Sequence, residues 1–371
     1  MRPSLLRTAR RALVAAVAVS GLTACSLVGT GDGDDSSNAG PSGSTGSPGS
    51  TPAGGGEVVL VTHDSFALPT SLVQQFEAES GYDLVVRRSG DAGELTTKLA
   101  LTADDPTGDV AFGVDNTFAQ RALAEHVFAR TDVALPPGAG DYTVPGAEDM
   151  LLPIDHGDVC VNVDTTWFRD HDLAPPADLA DLTDPAYRGL FVTPSALTSS
   201  PGLAFLLGTI AEYGDEWQGY WEDLMANDAL VVDGWTDAYY GEFTQGGEQG
   251  ERPVVLSYDS SPAYTVPKGS EESTTRALLD TCVEQVEYAG LLAGAANPEG
   301  GRALLEFLLS DDVQAALPTS MYVFPVVDGT PLPRTWAQFA VQPDSPYRVD
   351  PVEIGANRDQ WLEQWREIVT R

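Results

Sequence analysis

The chain has 371 residues, and its 55 acidic and 20 basic side chains give a formal net charge of −35 at pH 7. This charge repels nucleic acid and anionic lipid headgroups, so it argues against DNA binding, RNA binding and electrostatic attachment to membranes. It also draws cations toward any cleft that is lined by carboxylates.

The first 25 residues have the layout of a bacterial secretory signal. Arginines precede an apolar run from Ala12 to Val19, and small residues lead to Cys25. The ending Leu22-Thr-Ala-Cys25 resembles the lipobox of bacterial lipoproteins. This resemblance implies that residues 1–24 are a signal peptide and that Cys25 is lipidated. The alternative is an ordinary signal peptide with a chance cysteine.

Residues 25–56 form the predicted tether. After the cysteine they are mostly Gly, Ser, Thr, Pro, Ala and Asp, with no Lys or Arg, a composition that cannot bury a core. A flexible coil of about 31 residues has a root-mean-square reach of roughly 30 Å. The sequence therefore predicts a folded body held by a lipid on the outer side of the cell membrane.

The body from Glu57 to Arg371 is long enough for two lobes. Short β-branched runs alternate with helical patterns, which predicts an α/β fold with a largely parallel sheet. The first predicted elements are strands at 58–61, 84–86 and 109–114 and helices at 71–81 and 91–101. Ligands bind beyond the carboxyl ends of such strands. The loops there contain His63, Asp64, Ser65, Asp91, Asp115 and Asn116.

A second unit follows, with strands predicted at 189–192 and 254–258 and a helix opened by the turn 198–202. After Glu284 a strand and a helix at 298–309 indicate a return to the first lobe. We therefore predict one lobe from 57–157 with 284–371 and another from 158–283. The last helix, predicted at 358–370, carries Trp361, Trp365 and Ile368 as packing residues.

Cys160 and Cys282 are the two cysteines of the body. An even pair in an oxidising compartment indicates a disulfide, placed here near the crossing between the lobes. Two buried free thiols are the alternative.

The chain lacks the usual zinc-protease, serine-hydrolase, P-loop and Cys-x-x-Cys motifs, and its four histidines are scattered. Neither a metal site nor a cofactor is predicted. Aromatic residues instead stand beside carboxylates in three segments that read as loops, 233–240, 258–264 and 318–325. Aromatic faces with carboxylates suit a flat organic cation, because cation–π attraction contributes about 0.5–2 kcal/mol.

Several short segments follow one another along the body: THDSF (62–66), GVDN (113–116), PIDHG (153–157), SSPGL (199–203), GWTDAY (234–239), LSYDSSPAY (256–264) and LPT (317–319) with FPV (324–326). In this order they resemble the thiamine-binding proteins of bacterial ABC importers. The resemblance covers nearly all of 58–371. It implies a two-lobed type II periplasmic-binding-protein fold with hinge-crossing strands. It also implies a monomer that delivers thiamine or its phosphates to a membrane permease.

The resemblance also implies that Trp235, Tyr258 and Tyr264 line the ligand, with Asp91 and Ser199 near its phosphate end. The chain departs from the family pattern in three places. His63 stands where a tyrosine is usual, a tryptophan expected after Phe66 is missing, and Tyr322 replaces a tryptophan.

Thiamine joins a stacking aminopyrimidine to a permanently positive thiazolium. We assign Asp64 to the aminopyrimidine and Asp155 to support of the cation, while the turn 90–93 offers backbone N–H groups to a phosphate. Either aspartate could instead cap a helix. The predicted ligand-binding residues are His63, Asp64, Ser65, Asp91, Ala92, Asp115, Asn116, Asp155, Ser199, Ser200, Trp235, Tyr239, Tyr258, Tyr264 and Tyr322.

Two other functions stay open at this point. A ferric-ion binder of the same fold would use Tyr239 and Tyr240 with His63, and a polyamine binder is a further variant. An extracellular hydrolase would use Ser199 or Asp64 with His156. We predict a binding protein and not an enzyme.

Overall fold

The computed structural model describes residues 55–247 and 249–371. The predicted signal peptide, Cys25 and nearly all of the tether lie outside the described residues. The first strand begins at Glu57, where the folded body was predicted to begin. Among the described residues, no helix is both long and apolar enough to cross a bilayer.

The described residues form ten strands and eleven α-helices. The strands are β1 (Glu57–Thr62), β2 (Asp83–Arg88), β3 (Val110–Asp115), β4 (Leu152–Asp164), β5 (Phe191–Pro194), β6 (Leu230–Val232), β7 (Val254–Tyr258), β8 (Thr275–Ala277), β9 (Val283–Leu291) and β10 (Phe324–Pro325). The helices are α1 (Thr70–Ser80), α2 (Ala92–Leu101), α3 (Ala119–Ala124), α4 (Thr165–Asp170), α5 (Ser200–Tyr213), α6 (Trp217–Ala226), α7 (Ser261–Tyr264), α8 (Pro298–Leu308), α9 (Asp311–Ser320), α10 (Arg334–Phe339) and α11 (Pro351–Val369).

All ten strands join one mixed sheet. Its order is β2-β1-β3-β9-β4-β7-β5-β6, and β8 and β10 pair with β4 beside this path. The pairs β1–β2, β1–β3, β5–β6 and β5–β7 are parallel. Strand β9 is antiparallel to both of its neighbours, and β4 is antiparallel to β7. The prediction of a largely parallel sheet therefore holds for the two outer parts and is wrong for the centre.

The central strands β4 and β9 give the fold its two lobes. The first half of β4 pairs with β9, and its second half pairs with β7 and β8. One lobe is built on β1, β2 and β3 and the other on β5, β6 and β7. The predicted two-lobed fold with hinge-crossing strands is confirmed.

Most of the predicted elements form where the sequence placed them. Helix α1 buries Leu72 and Phe76, four residues apart on one face, and ends at Gly81. Helix α2 begins after Asp91, whose side chain accepts a hydrogen bond from the N–H of Ala92. The short predicted strands at 84–86 and 109–114 are β2 and β3.

The predicted loops and the predicted start of the last helix are partly wrong. The segment 233–240 opens into a π-helix over Asp237–Glu242, Ser261–Tyr264 of the segment 258–264 is α7, and the segment 318–325 begins in the last turn of α9. The last helix begins at Pro351, several residues before the predicted start. Its buried Trp365 packs edge-on against Trp221 of α6, with ring centroids 5.4 Å apart, so the predicted packing role of this helix is confirmed.

Cys160 and Cys282 form the predicted disulfide, with Cα atoms 4.2 Å apart. Both residues are buried. They stand beside the pairing of Val159 with Val283, where β4 meets the start of β9. The bond therefore joins the two hinge strands and closes a loop of 122 residues.

We expect loss of this bond to destabilise the fold, because it lifts a loop constraint from the unfolded chain. Replacing Cys160 and Cys282 together by alanine should lower the free energy of unfolding by about 2–5 kcal/mol, as measured by urea denaturation. Alkylation of the denatured protein without a reductant should label neither Cys160 nor Cys282. Two labelled thiols would contradict this assignment.

Candidate ligand-binding site

A cavity lies between the lobes, on the side where β1, β3 and β7 end. Its volume is about 660 Å³ when its open mouth is included. It is lined by these members of the predicted set: His63, Ser65, Asp91, Ala92, Ser200, Trp235, Tyr239, Tyr258, Tyr264 and Tyr322. The structure thus brings together residues that are up to 259 positions apart in the sequence. The wall also contains Pro201, Tyr240, Ser261, Gln285, Glu287, Met321 and Val323, which the sequence analysis did not assign to the ligand.

One wall of the cavity is a continuous run of aromatic rings. Trp235 stacks on Tyr239, with centroids 5.0 Å apart and ring planes 18° from parallel. Tyr264 then packs edge-on against Tyr239 and against Tyr322, at 6.1 and 4.9 Å. The indole N–H of Trp235 donates to Ser257 Oγ at 3.0 Å. This wall offers fixed π-faces to a flat ligand.

Asp91 connects the two lobes across the cavity. Its Oδ1 accepts from the N–H of Ala92 at 2.6 Å and of Ser200 at 3.4 Å, and its Oδ2 accepts from the N–H of Trp235 at 2.8 Å. The first contact caps α2, and the other two reach the opposite lobe. Burial raises the pKa of Asp91 although these hydrogen bonds oppose the rise.

The lobes also touch through their backbones beside Asp91. The N–H of Glu94 donates to the carbonyl of Thr198 at 3.1 Å. A Cβ on Gly93 would lie 2.5 Å from that same carbonyl oxygen, so a side chain at this position would force the lobes apart.

His63 and Glu287 face each other in the cavity wall and form an ion pair when the imidazole is protonated. His63 Nε2 lies 3.2 Å from Glu287 Oε1, and both side chains are 9% exposed. The histidine ring rests on Gly113, where a Cβ would lie 2.2 Å from His63 Cδ2. Gly113 has a φ of +101° and stands at a register shift in β3. Glycine is therefore favoured here for two reasons: it adopts this φ without strain, and it leaves room for the His63 ring.

Glu287 is the centre of a row of carboxyl groups. It lies opposite Asp155 in the pairing of β9 with β4, and opposite Asp115 in the pairing of β3 with β9. Directly opposed side chains share one face of a sheet. Burial, followed by repulsion from Glu287 and a hydrogen bond with it, raises the pKa of Asp155 well above its usual range. This position therefore favours the protonated form of Asp155.

Asp115 is held by a different set of partners. Its Oδ1 accepts from the N–H and hydroxyl groups of Thr117, and its Oδ2 accepts from the hydroxyl of Ser200. Gln285 in turn donates to Ser200 Oγ at 2.9 Å. Burial raises the pKa of Asp115 to about 6, while the hydrogen bonds from Ser200 and Thr117 limit that rise. This network fixes the start of α5 against the hinge strands.

Five residues of the predicted set stand outside the cavity wall. The exposed Asp64 accepts from the N–H of Gly90 at 3.1 Å, so it shapes the loop before α2. Asn116 bonds to the β9 backbone at Glu284 and Val286. The others are fully buried behind the wall, namely Asp115, Asp155 and Ser199.

The residues of the hydrolase alternative are not gathered in one place. His156 stacks between Tyr142 and Phe324 in a separate pocket, which Ser199 and Asp64 do not line. Burial lowers the pKa of His156 to about 4, so this imidazole is a weak base.

We expect Asp91 to contribute to stability through both of its roles. Asp91→Ala should lower the free energy of unfolding by about 1–2 kcal/mol, because it removes the cap of α2 and the acceptor for Trp235. Asp91→Ser is the matched control, since a serine can still cap α2 and is too short to reach Trp235. It should cost about half as much in urea denaturation. Equal stability of all three proteins would show that the bridge contributes nothing.

Comparison with known proteins agrees with this architecture. Residues 62–315 match the family model described as bacterial extracellular solute-binding protein. The chain is 30% identical over 323 residues to the thiamine-binding periplasmic protein of Escherichia coli K12, covering 85% of this chain and 94% of that protein. It is 29% identical over 329 residues to the thiamine-binding periplasmic protein of Brucella abortus, covering 85% and 92%.

Solved structures give the same result. A periplasmic thiamin binding protein superposes with a TM-score of 0.75 at 29% identity, covering 85% of this chain and 96% of that one. Iron-bound HitA from Pseudomonas aeruginosa superposes with a TM-score of 0.63 at 20% identity, covering 85% and 99%, which shows a shared fold only. The resemblance predicted from the ordered motifs is confirmed, and the chain belongs to the family of bacterial extracellular solute-binding proteins.

Proposed function

We propose that this protein is the solute-binding component of an ABC importer and that it captures thiamine or a thiamine phosphate between its lobes. The observation that carries the proposal is an aromatic wall facing buried carboxylates in the cleft, in a chain whose relatives are named thiamine-binding periplasmic proteins. Such a protein delivers its ligand to a membrane permease without changing it chemically.

The chemistry of the cavity suits this ligand. The free face of Trp235 and the rings of Tyr264 and Tyr322 can stack on an aminopyrimidine or a thiazolium. Glu287, in the opposite wall, supplies negative charge for the cation. The N-termini of α2 and α5 meet near Asp91, which accepts from the N–H groups of Ala92 and Ser200. A phosphate at this end would use N–H groups of these first turns that Asp91 does not occupy.

We further propose that 57–157 with 284–371, and 158–283, are the bodies that open and close. Strands β4 and β9 would act as the hinge, because they belong to both lobes. Helix α11 contacts both α3 and α6, so it would limit the opening.

The proposed location is the outer face of the cell membrane, with the lipid on Cys25 as the anchor and the protein as a monomer. The support is the lipobox-like ending at Cys25 and the name of the relatives as periplasmic proteins.

Removal of the anchor should release the protein. We expect Cys25→Ser to move the protein from the membrane fraction to the soluble fraction or the medium, because the proposed lipid is its attachment. The measurement is fractionation followed by immunoblotting. Retention of the variant in washed membranes would count against lipidation as the anchor.

Thiamine should bind with a 1:1 stoichiometry in titration calorimetry and quench tryptophan fluorescence. Trp235→Ala and Tyr264→Ala should each weaken binding by about 1–3 kcal/mol, because each removes aromatic area and cation–π attraction. Trp361→Ala is the matched control. This residue lies on α11, away from the cavity wall, and its loss should affect stability and leave the affinity unchanged. No heat with thiamine or its mono- and diphosphates would refute the ligand assignment.

The ferric-ion alternative predicts a different dependence on the aromatic residues. Iron binding would give a visible charge-transfer band that depends on Tyr239 and Tyr240 and is indifferent to Trp235. Burial, with a contribution from Tyr264, raises the pKa of Tyr240 to about 12.

A further inference from the structure

The ion pair between His63 and Glu287 stands where a cationic ligand needs a counter-charge. Both side chains line the cavity, and each is more than nine-tenths buried. No Lys or Arg within 55–247 and 249–371 lines this cavity. When protonated, the imidazolium of His63 is therefore the only fixed positive charge that the described cavity wall presents to Glu287.

Among the described residues, the titratable groups that act on His63 are carboxyl groups. Glu287 faces it from β9, Asp91 from the start of α2, and Asp64 from its own loop. Asp155 from β4 and Asp115 from β3 flank Glu287. Tyr258 from β7 completes the wall. The imidazolium is thus surrounded by carboxyl groups, and a second cation entering the cavity would compete with it for the same negative charge.

A buried cavity strongly resists a change in its net charge, because unpaired charge is poorly solvated there. In the free protein the Glu287 carboxylate can be paired by protonated His63. A permanently charged ligand can supply the same compensation only if the histidine becomes neutral. The exchange keeps the charge of the cavity constant, and it costs less than holding two cations side by side.

We propose that Glu287 is the residue that selects a cationic ligand in this cleft, and that His63 is its internal counter-ion, which releases its proton to solvent when the ligand binds. This inference rests on the proposed function for the identity of the probe, which is thiamine. It adds that each binding event exchanges one proton for one ligand cation.

In the free protein, the surroundings of His63 favour its protonated form. Burial alone would lower the pKa of His63, but the carboxylates of Glu287, Asp91 and Asp64 outweigh that effect and raise it above the usual value. At about pH 6.5 more than half of the free protein molecules therefore have a protonated His63. Since the bound form excludes this proton, affinity should fall as the pH drops, and it should level off above the raised pKa.

The test is calorimetric titration of the folded protein with thiamine at about pH 6.5 in phosphate, MOPS and Bis-Tris, whose ionisation enthalpies differ. The dependence of the observed heat on buffer gives the number of protons exchanged. We expect the release of more than half a proton for each thiamine bound, approaching one proton as the pH falls. Between about pH 6 and the raised pKa, affinity should rise by up to tenfold for each pH unit.

Three variants test the roles of His63 and Glu287 in the exchange of a proton for the ligand cation. His63→Gln should abolish the proton release and flatten the dependence of the affinity on pH. His171→Gln, an exposed histidine, is the matched control and should release as many protons as the unchanged protein. Glu287→Gln should weaken thiamine binding about tenfold or more, and should leave binding of a neutral thiophene isostere of thiamine nearly unchanged.

The outcomes separate this inference from the proposed function. Tight 1:1 thiamine binding without proton release would overturn the exchange and leave the function in place. Proton release that persists in His63→Gln would assign the proton to the carboxyl row and contradict the role of His63. Equal losses for thiamine and its neutral isostere in Glu287→Gln would overturn the role of Glu287. No binding of thiamine at all would overturn both the function and the inference.

Discussion

Strand β9 lies between β3 and β4, and its register with these two neighbours decides which charges face the cleft. The pairing sets Glu287 between Asp115 and Asp155, and the disulfide ties the start of β9 to β4. Three carboxyl groups in one buried row would be strongly unfavourable if all were ionised. The raised pKa of Asp155 reflects that cost. The hydroxyl partners of Asp115, and the pairing of Glu287 with His63 when the imidazole is protonated, offset part of it. The hinge therefore carries the charge pattern on which ligand selection depends.

The second half of the site comes from the opposite lobe and is mostly neutral. Trp235, Tyr239 and Tyr264 lie on short helical segments after β6 and β7, where packing between rings fixes their orientation. Asp91 joins this aromatic wall to the other lobe through the N–H of Trp235. If the lobes open and close as proposed, their closing would also assemble the aromatic wall against Asp91, since this carboxylate accepts from the N–H of Trp235.

Much of the fold could be predicted because it depends on local patterns. The spacing of Leu72 and Phe76 predicts α1, and the Cys160–Cys282 bond follows from cysteine number and compartment. The segment 233–240 was mispredicted because Gly234 reads as a turn, whereas buried Tyr239 holds the chain in a helical path. Glu287 was missed for a different reason. Alternation along β9 predicts that Gln285 and Glu287 share a face, but only the pairing with β3 and β4 shows that this face is the cleft. The sequence likewise gave no reason to prefer Asp91 over Asp64 as a residue of the cavity wall. In the structure Asp91 lines the cavity, whereas Asp64 is exposed and outside it.

The central claim is that the cleft binds thiamine or a thiamine phosphate, and the most direct measurement identifies what the protein carries from its own cell. The protein would be purified without dialysis against competing solutes, denatured, and the released small molecules identified by mass spectrometry, with metal content measured in parallel. The account predicts close to one thiamine or thiamine phosphate for each occupied protein molecule. Stoichiometric release of a polyamine, another unrelated solute or iron, with no thiamine compound present, would contradict it.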